Sequence, residues 1–130
     1  MIGFTAGTFD LLHAGHVLML EEAAAQCEYL IVGLQSDPTI DRPWKNKPVQ
    51  SVGERYIQLN AVRYVDQVVE YTTEDDLRAL LERVWPDIRI VGDDHRGKQF
   101  TGRSLAIPLY YNSRDHGYST SDLRRRVADG

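Results

Sequence analysis

Apolar and polar positions alternate along the chain between two periods. Ile2 to Ala6 is a short apolar run of strand character that stops at Gly7. From His16 to Gln26 the period becomes helical, with Val17, Leu20, Ala24 and Cys27 on one face. Tyr29 to Leu34 (YLIVGL) is continuously apolar, as a strand buried on both faces requires, and these three segments predict a βαβ unit. A polar stretch punctuated by Pro38, Pro43 and Pro48 then predicts a loop from Gln35 to Gln50. Ser51 and Glu54 have the spacing of a capping box and start a second helix. Gln67 to Tyr71 predicts a third strand. Thr73 caps a third helix with Glu74, Asp75 and Asp76 in its first turn and Leu77, Leu80, Leu81 and Val84 along its apolar stripe, and Trp85 and Pro86 end it. Ile88 to Val91 is a fourth strand and Leu105 to Tyr111 a fifth, and Ser119 to Ser121 open a last helix that runs through Val127. Strands alternating with helices predict an α/β fold: a single Rossmann-like, doubly wound, parallel five-stranded sheet with helices on both faces.

In such sheets ligands sit beyond the carboxyl ends of the strands, where strand order reverses. The motifs of this chain gather at those ends. GTFDLLHAGH (Gly7 to His16) follows the first strand, the loop carrying Lys45 and Lys47 follows the second, GDDH (Gly92 to His95) the fourth, and Arg114 to Thr120 the fifth. A strand, a glycine turn and a helix N-terminus in succession present backbone N–H groups and the positive end of the helix dipole, which suits a phosphate. His13 and His16, separated by Ala14 and Gly15, aim at the same anion, and Gly15 leaves room for it.

Composition narrows the field. With 130 residues, 42% apolar and 26% charged, the chain is expected to form one domain, residues 1–130, with one core. A net charge of −4 argues against a general nucleic-acid binder. Cys27, the single cysteine, sits on an apolar helix face and reads as a core thiol. Strand character begins almost at Met1 and no apolar run reaches spanning length, so a cytoplasmic protein with no membrane partner is expected.

GTFDLLHAGH resembles the nucleotide-binding signature of the cytidylyltransferases, above all the small bacterial glycerol-3-phosphate enzymes. The resemblance extends through RYVDQVV (Arg63 to Val69), VGDDHRGK (Val91 to Lys98) and Arg114-Asp115-His116-Gly117-Tyr118-Ser119-Thr120, which is similar to the family's RTEGIST with Thr, Glu and Ile replaced. It implies transfer of CMP from CTP to a small phosphomonoester, most simply glycerol 3-phosphate, giving CDP-glycerol and pyrophosphate. The attacking phosphate oxygen is already anionic, so the protein has to position the reactants and neutralise charge, with no general base.

The roles implied are these. His13, His16, Lys45, Arg114, Ser119 and Thr120 form the catalytic set. Gly7, Thr8, Phe9, Gly15, Lys47, Gly92, Asp94, Gly117, Tyr118 and Ser121 bind the nucleotide, with Asp94 at the ribose. Asp10, Lys45, Arg55 and Arg63 bind the acceptor. No protein metal cluster is expected; Mg2+ arrives with CTP, held by phosphate oxygens with few protein ligands. A homodimer is expected from the family. Arg124, Arg125 and Arg126, near the end of the last helix, read as a solvated and partly interfacial face.

Two alternatives stand beside this reading. The same H-x-G-H signature occurs in adenylyltransferases, so ATP as donor, or phosphocholine, phosphoethanolamine or a sugar phosphate as acceptor, fits the same residues. An idle nucleotide-binding module is the alternative of another class, opposed by the histidines, lysines and Arg114. Class I aminoacyl-tRNA synthetases share the motif but need far more chain.

Overall fold

The computed structural model describes residues 1–113 and 115–130. In chain order the elements are β1 (Ile2–Gly7), α1 (Ala14–Ala24), β2 (Tyr29–Gln35), α2 (Val52–Asn60), β3 (Gln67–Tyr71), α3 (Glu74–Val84), β4 (Ile88–Gly92), a short 3-10 turn (Asp93–His95), β5 (Leu109–Asn112) and α4 (Thr120–Asp129). The sheet has five strands in the order β3-β2-β1-β4-β5, all parallel in register. Order reverses between β1 and β4, so the crevice of a doubly wound sheet opens at the carboxyl ends of those two strands.

The pleat divides the core. Leu30, Val32 and Leu34 of β2 and Ile90 of β4 point to the face covered by Leu20 and Ala23 of α1 and Leu59 of α2. Phe4 of β1 and Ile31 of β2 point the other way, onto Leu77, Leu80 and Leu81 of α3. Helices therefore cover both faces, and β2, which both clusters bury, is apolar from Leu30 to Leu34.

Local chemistry explains most boundaries. Ser51 and Glu54 form a reciprocal capping box at α2, and Thr73 and Asp76 do the same at α3. α3 stops at Trp85, whose φ of 44° leaves the helix, with Pro86 behind it. Four expectations change. α1 starts at Ala14 and not His16, because His13 acts as its N-cap; its buried positions are Gly15, Leu20 and Ala23, while Val17 is exposed. The fifth strand starts at Leu109 and not Leu105. It pairs Leu109 with Arg89, so residues upstream would run past the start of β4, where Pro108 has no N–H to donate, and Ile107 is instead buried against α3. The remaining two concern Arg55 and Arg63.

Arg55, expected at the acceptor phosphate, is 1% exposed. Its guanidinium donates to four backbone carbonyls: Nη1 to Thr8 (2.9 Å) and Gln35 (2.6 Å), Nη2 to Ser36 (2.6 Å) and Nε to Gln50 (3.1 Å). It ties the exits of β1 and β2 to the start of α2, and its donors are committed to that task. Arg63, also expected at the acceptor, lies beyond α2, where Nη2 donates to the Tyr64 hydroxyl, which in turn donates to Glu21. Neither residue lines the crevice.

Arg55→Met keeps a long side chain but strands those carbonyls. With each buried unpaired group costing roughly 1–3 kcal/mol, a loss of at least about 3 kcal/mol is expected in urea unfolding. A loss below about 1 kcal/mol would show that the carbonyls find other partners.

Candidate active site

The turn from Gly7 to His13 sets the site. Phe9 and Leu11 both adopt the left-handed region, each with φ of 52°, a conformation that needs outside support in a residue with a Cβ. That support is visible: the Phe9 ring is 7% exposed within the core on the α1 side, and the Leu11 N–H donates to Gln50 Oε1 at 2.8 Å. Asp10, between them, accepts the backbone N–H groups of Val49 (2.8 Å) and Gln50 (3.0 Å) and Arg124 Nη2 at 2.7 Å. Burial works to raise the Asp10 pKa, but the two backbone bonds and Arg124 outweigh it and hold the carboxyl below its ordinary value. Asp10 was expected to bind substrate; its carboxylate is taken up by the protein. Arg124 was expected on a solvated face; it closes this ion pair and pins α4 to the turn.

At the start of α1 two histidines cap the helix reciprocally. The Gly15 N–H donates to His13 Nδ1 at 3.0 Å, and the His13 N–H donates to His16 Nδ1 at 3.2 Å. A ring nitrogen that accepts carries no proton, so both rings are held as neutral tautomers with the hydrogen on Nε2. His13 Nε2 donates to Thr120 Oγ1 at 3.1 Å, and the ring centroids are 4.0 Å apart. Burial lowers the His13 pKa and nearby His116 lowers it further, which favours the neutral form. Gly15 leaves no space for a side chain: a Cβ there would sit 2.8 Å from His13 Cε1 and 2.9 Å from both His116 Cε1 and Tyr118 Cβ.

A cleft of about 520 Å³ opens above this helix end. It brings together Gly7, Thr8, Phe9, His13, His16 and Lys45 with Tyr118, Ser119, Thr120 and Ser121. The N-terminus of α4 forms one wall, where the Ser119 hydroxyl caps by accepting from the Asp122 N–H at 3.0 Å. The positive ends of α1 and α4 thus face one space that also holds Lys45, a setting for several phosphates. His116, noted in the sequence only as a departure, contributes a further ring. Its Nδ1 accepts from the Tyr118 N–H at 2.9 Å, leaving the hydrogen on Nε2, which is buried without a partner among the described residues.

The remaining expected residues are placed differently. Lys47 is largely exposed and pairs with Asp37 at 3.7 Å, outside the cleft. Gly92 lines a second, adjoining cavity; Asp94 follows it in the 3-10 turn and lines neither. Gly117, with φ of 76°, turns the chain between His116 and Tyr118. Arg114 lies outside the described residues. The adjoining cavity, about 230 Å³, shares Gly7, Thr8, Phe9 and Lys45 with the cleft and reaches Arg42, Glu74 and Arg89 on the α3 side of the sheet and Asn112, whose amide donates to α1, none of which the sequence singled out. An arginine inside a strand carries no motif, so only the fold could place it.

Among the described residues no three His, Cys, Asp or Glu side chains gather to hold a metal ion, and the Asp10 carboxylate is already committed. No helix is long and apolar enough to cross a membrane among the described residues.

Residues 4–126 match the model of the cytidylyltransferase-like family. The chain belongs to this family. Relatives include the Bifunctional protein HldE of Nitrobacter hamburgensis, 41% identical over 97% of this chain and 27% of its own length, and that of Campylobacter concisus, 33% identical over the same shares. The chain thus spans about a quarter of the curated relatives it matches. The solved structure of the lipopolysaccharide core biosynthesis protein from Thermoplasma volcanium superposes with a TM-score of 0.64 over 99% of this chain and 87% of its own, at 20% identity, and shares the fold. The expected family holds at this broader level. The narrower expectation, the small glycerol-3-phosphate branch, does not: these relatives are HldE proteins.

The lowered pKa values of His13 and Asp10 act in one direction. In each case the unfolded chain takes up its proton first, at about pH 6.5 for the histidine and about pH 4 for the carboxyl, so stability falls as pH drops through those values. The urea midpoint is expected to decline below about pH 6.5 and again below about pH 4, with the lower decline flattened in Asp10→Asn. An unaltered low-pH profile in that variant would remove Asp10 from the account.

Proposed function

We propose that the protein transfers a nucleotidyl group from a nucleoside triphosphate to a sugar phosphate, with ATP standing beside CTP as donor. The observation that carries the reading is the pair of neutral, reciprocally capped histidines opening onto a cleft that also holds Lys45 and the N-terminus of α4. HldE relatives that match nearly the whole chain favour a sugar phosphate over glycerol 3-phosphate.

In this reading an oxygen of the acceptor phosphate attacks the α-phosphorus. The bond from the α-phosphorus to the oxygen bridging to the β-phosphate breaks, its electron pair leaves with pyrophosphate, and no proton has to move. The Nε2–H groups of His13 and His16 donate to phosphate oxygens as charge shifts toward the leaving group. Because Nδ1 is held by the backbone, both rings are already oriented, and the His13 Nε2–H, which donates to Thr120 Oγ1 in the ligand-free protein, exchanges that partner for the phosphate. Lys45, on the wall shared by both cavities, neutralises the incoming phosphate, and the free N–H groups at the start of α4 hold the outgoing phosphates. Arg114 belongs to the same proposal by family resemblance, as do a homodimer and a cytoplasmic setting. Magnesium bound to the triphosphate itself would supply further charge neutralisation; no step here is assigned to it.

Pyrophosphate release is the test, crossing CTP and ATP with ribose 5-phosphate, glucose 1-phosphate, mannose 1-phosphate and glycerol 3-phosphate in magnesium buffer. Release with a sugar phosphate, and a fall in kcat of about 100- to 1000-fold in a folded His16→Ala variant, is the expected result. Release with glycerol 3-phosphate alone would restore the narrower family expectation, and a near-normal rate in His16→Ala would dismiss the donor role.

A further inference from the structure

The loop between β2 and α2 is fastened at both ends and open in the middle. On the β2 side, Asp41 Oδ2 accepts the Glu74 N–H at 2.8 Å, and Arg42 Nη2 donates to Gln35 Oε1 at 3.2 Å and pairs with Glu74 Oε1 at 3.3 Å. On the α2 side, the Val49 and Gln50 N–H groups donate to Asp10. Residues 43–48 lie between these fastenings, with Pro43 and Pro48 at their limits. Among the described residues the polar ties of this span are one backbone bond, from the Lys45 N–H to the Arg42 carbonyl at 3.0 Å, and the exposed pair of Lys47 with Asp37 at 3.7 Å.

That backbone bond closes a turn, Arg42-Pro43-Trp44-Lys45, with proline at its second position, as turn geometry favours, and tryptophan at its third. Turn corners ordinarily hold small or polar residues, so a tryptophan there breaks the local rule. Trp44 is 76% exposed, more than any other large apolar residue among those described, and its ring has no hydrogen-bond, aromatic or cation partner among them. Its neighbours are placed otherwise. Arg42, Lys45, Asn46 and Pro48 line the cleft or the adjoining cavity, and Lys45 lines both. The chain thus displays its most exposed aromatic ring at the rim of the two cavities, one residue from the cation they share.

We propose that residues 43–48 form a flap that closes over a nucleoside triphosphate in the cleft, carrying Trp44 from solvent on to the bound ligand while the fastened ends stay in place. The proposal rests on the nucleotidyl-transfer reading above. Closing breaks little, because the ion pair of Lys47 is exposed and such pairs contribute little to stability. The triphosphate draws the Lys45 ammonium inward, and the same movement takes the indole of Trp44 out of water, which favours the closed form. Pro43 fixes one corner of the turn, so the turn moves as a unit about the loop ends. A covered cleft keeps water from the α-phosphorus, where it would compete with the acceptor phosphate.

The test reads Trp44 directly. The chain has two tryptophans, and Trp85, at the end of α3, lines neither cavity, so Trp85→Phe leaves Trp44 as the single indole. Saturating α,β-methylene ATP or CTP with magnesium, its binding followed by calorimetry, is expected to shift Trp44 emission to the blue and to lower its acrylamide quenching constant about threefold or more. In the wild-type chain the same analogue is expected to slow chymotrypsin cleavage after Trp44 about tenfold or more, which decides the matter should Trp85→Phe not fold. Trp44→Ala is expected to weaken the analogue about threefold to tenfold, with Trp44→Phe recovering most of that loss. Unchanged quenching or cleavage with the analogue bound, or unchanged affinity in Trp44→Ala, overturns the flap. So does failure of both analogues to bind, and so does protection that follows protein concentration without ligand, which assigns Trp44 to a contact between copies of this chain. The broader reading fails separately: protection with no pyrophosphate release from ATP or CTP sinks nucleotidyl transfer and leaves the flap standing, whereas release by a chain whose Trp44 stays exposed with the analogue bound does the reverse.

Discussion

Two histidine rings accepting backbone N–H groups at one helix start are the constraint on which the site depends. At most N-caps a short oxygen-bearing side chain does this work. Here His13 and His16 do it for each other's backbone neighbourhood, and the consequence reaches past helix stability. Each ring is turned, each tautomer is chosen, and each Nε2–H is committed to the side away from the helix. Protonating either ring would convert its accepting Nδ1 to a donor and set it against the N–H it now receives. Helix capping and the neutral donor state are thus one arrangement, and Gly15 is the residue without a side chain that lets three neighbours close over it.

Asp10 holds the surroundings of that arrangement in place. One carboxylate, almost fully buried, joins the end of the long loop at Val49 and Gln50 to the last helix through Arg124, so the Lys45 loop and the α4 N-terminus are both positioned from the turn that leads into His13. Arg55 does the corresponding work below, holding the carbonyls at the exits of β1 and β2. Two residues that resemble substrate ligands in the sequence are therefore the frame of the site. The charges lining the open space come from Lys45, the helix ends and the Asp10–Arg124 pair and, on the neighbouring wall, from Arg42, Glu74 and Arg89.

What the sequence disclosed follows from how local each signal is. The third strand, Gln67 to Tyr71, and the capping boxes at Ser51 and Thr73 were legible because period and cap chemistry are written within a few residues. The gathering of GTFDLLHAGH, Lys45 and the Ser119–Ser121 segment followed from topology, since those segments follow parallel strands. The start of α1 was missed because histidine is an uncommon cap. The start of β5 was missed because the partner strand, not the apolar run, sets its length. Arg55, Asp10 and Arg124 were misassigned for a shared reason: whether a charged side chain faces a ligand or the protein's own carbonyls and carboxylates is decided by partners 20 to more than 100 positions away. Arg89 and Asn112 were invisible for the same cause, being polar residues in strands that only the assembled sheet turns toward a cavity.

The account stands or falls on the state of the two capping rings, and long-range 1H–15N correlation spectra of the ligand-free protein at about pH 7.5 read it directly. The arrangement described here gives, for both His13 and His16, a bare Nδ1 and a protonated Nε2. A protonated Nδ1 on either ring, or an imidazolium, would contradict it and leave the cleft without its preset pair of neutral donors.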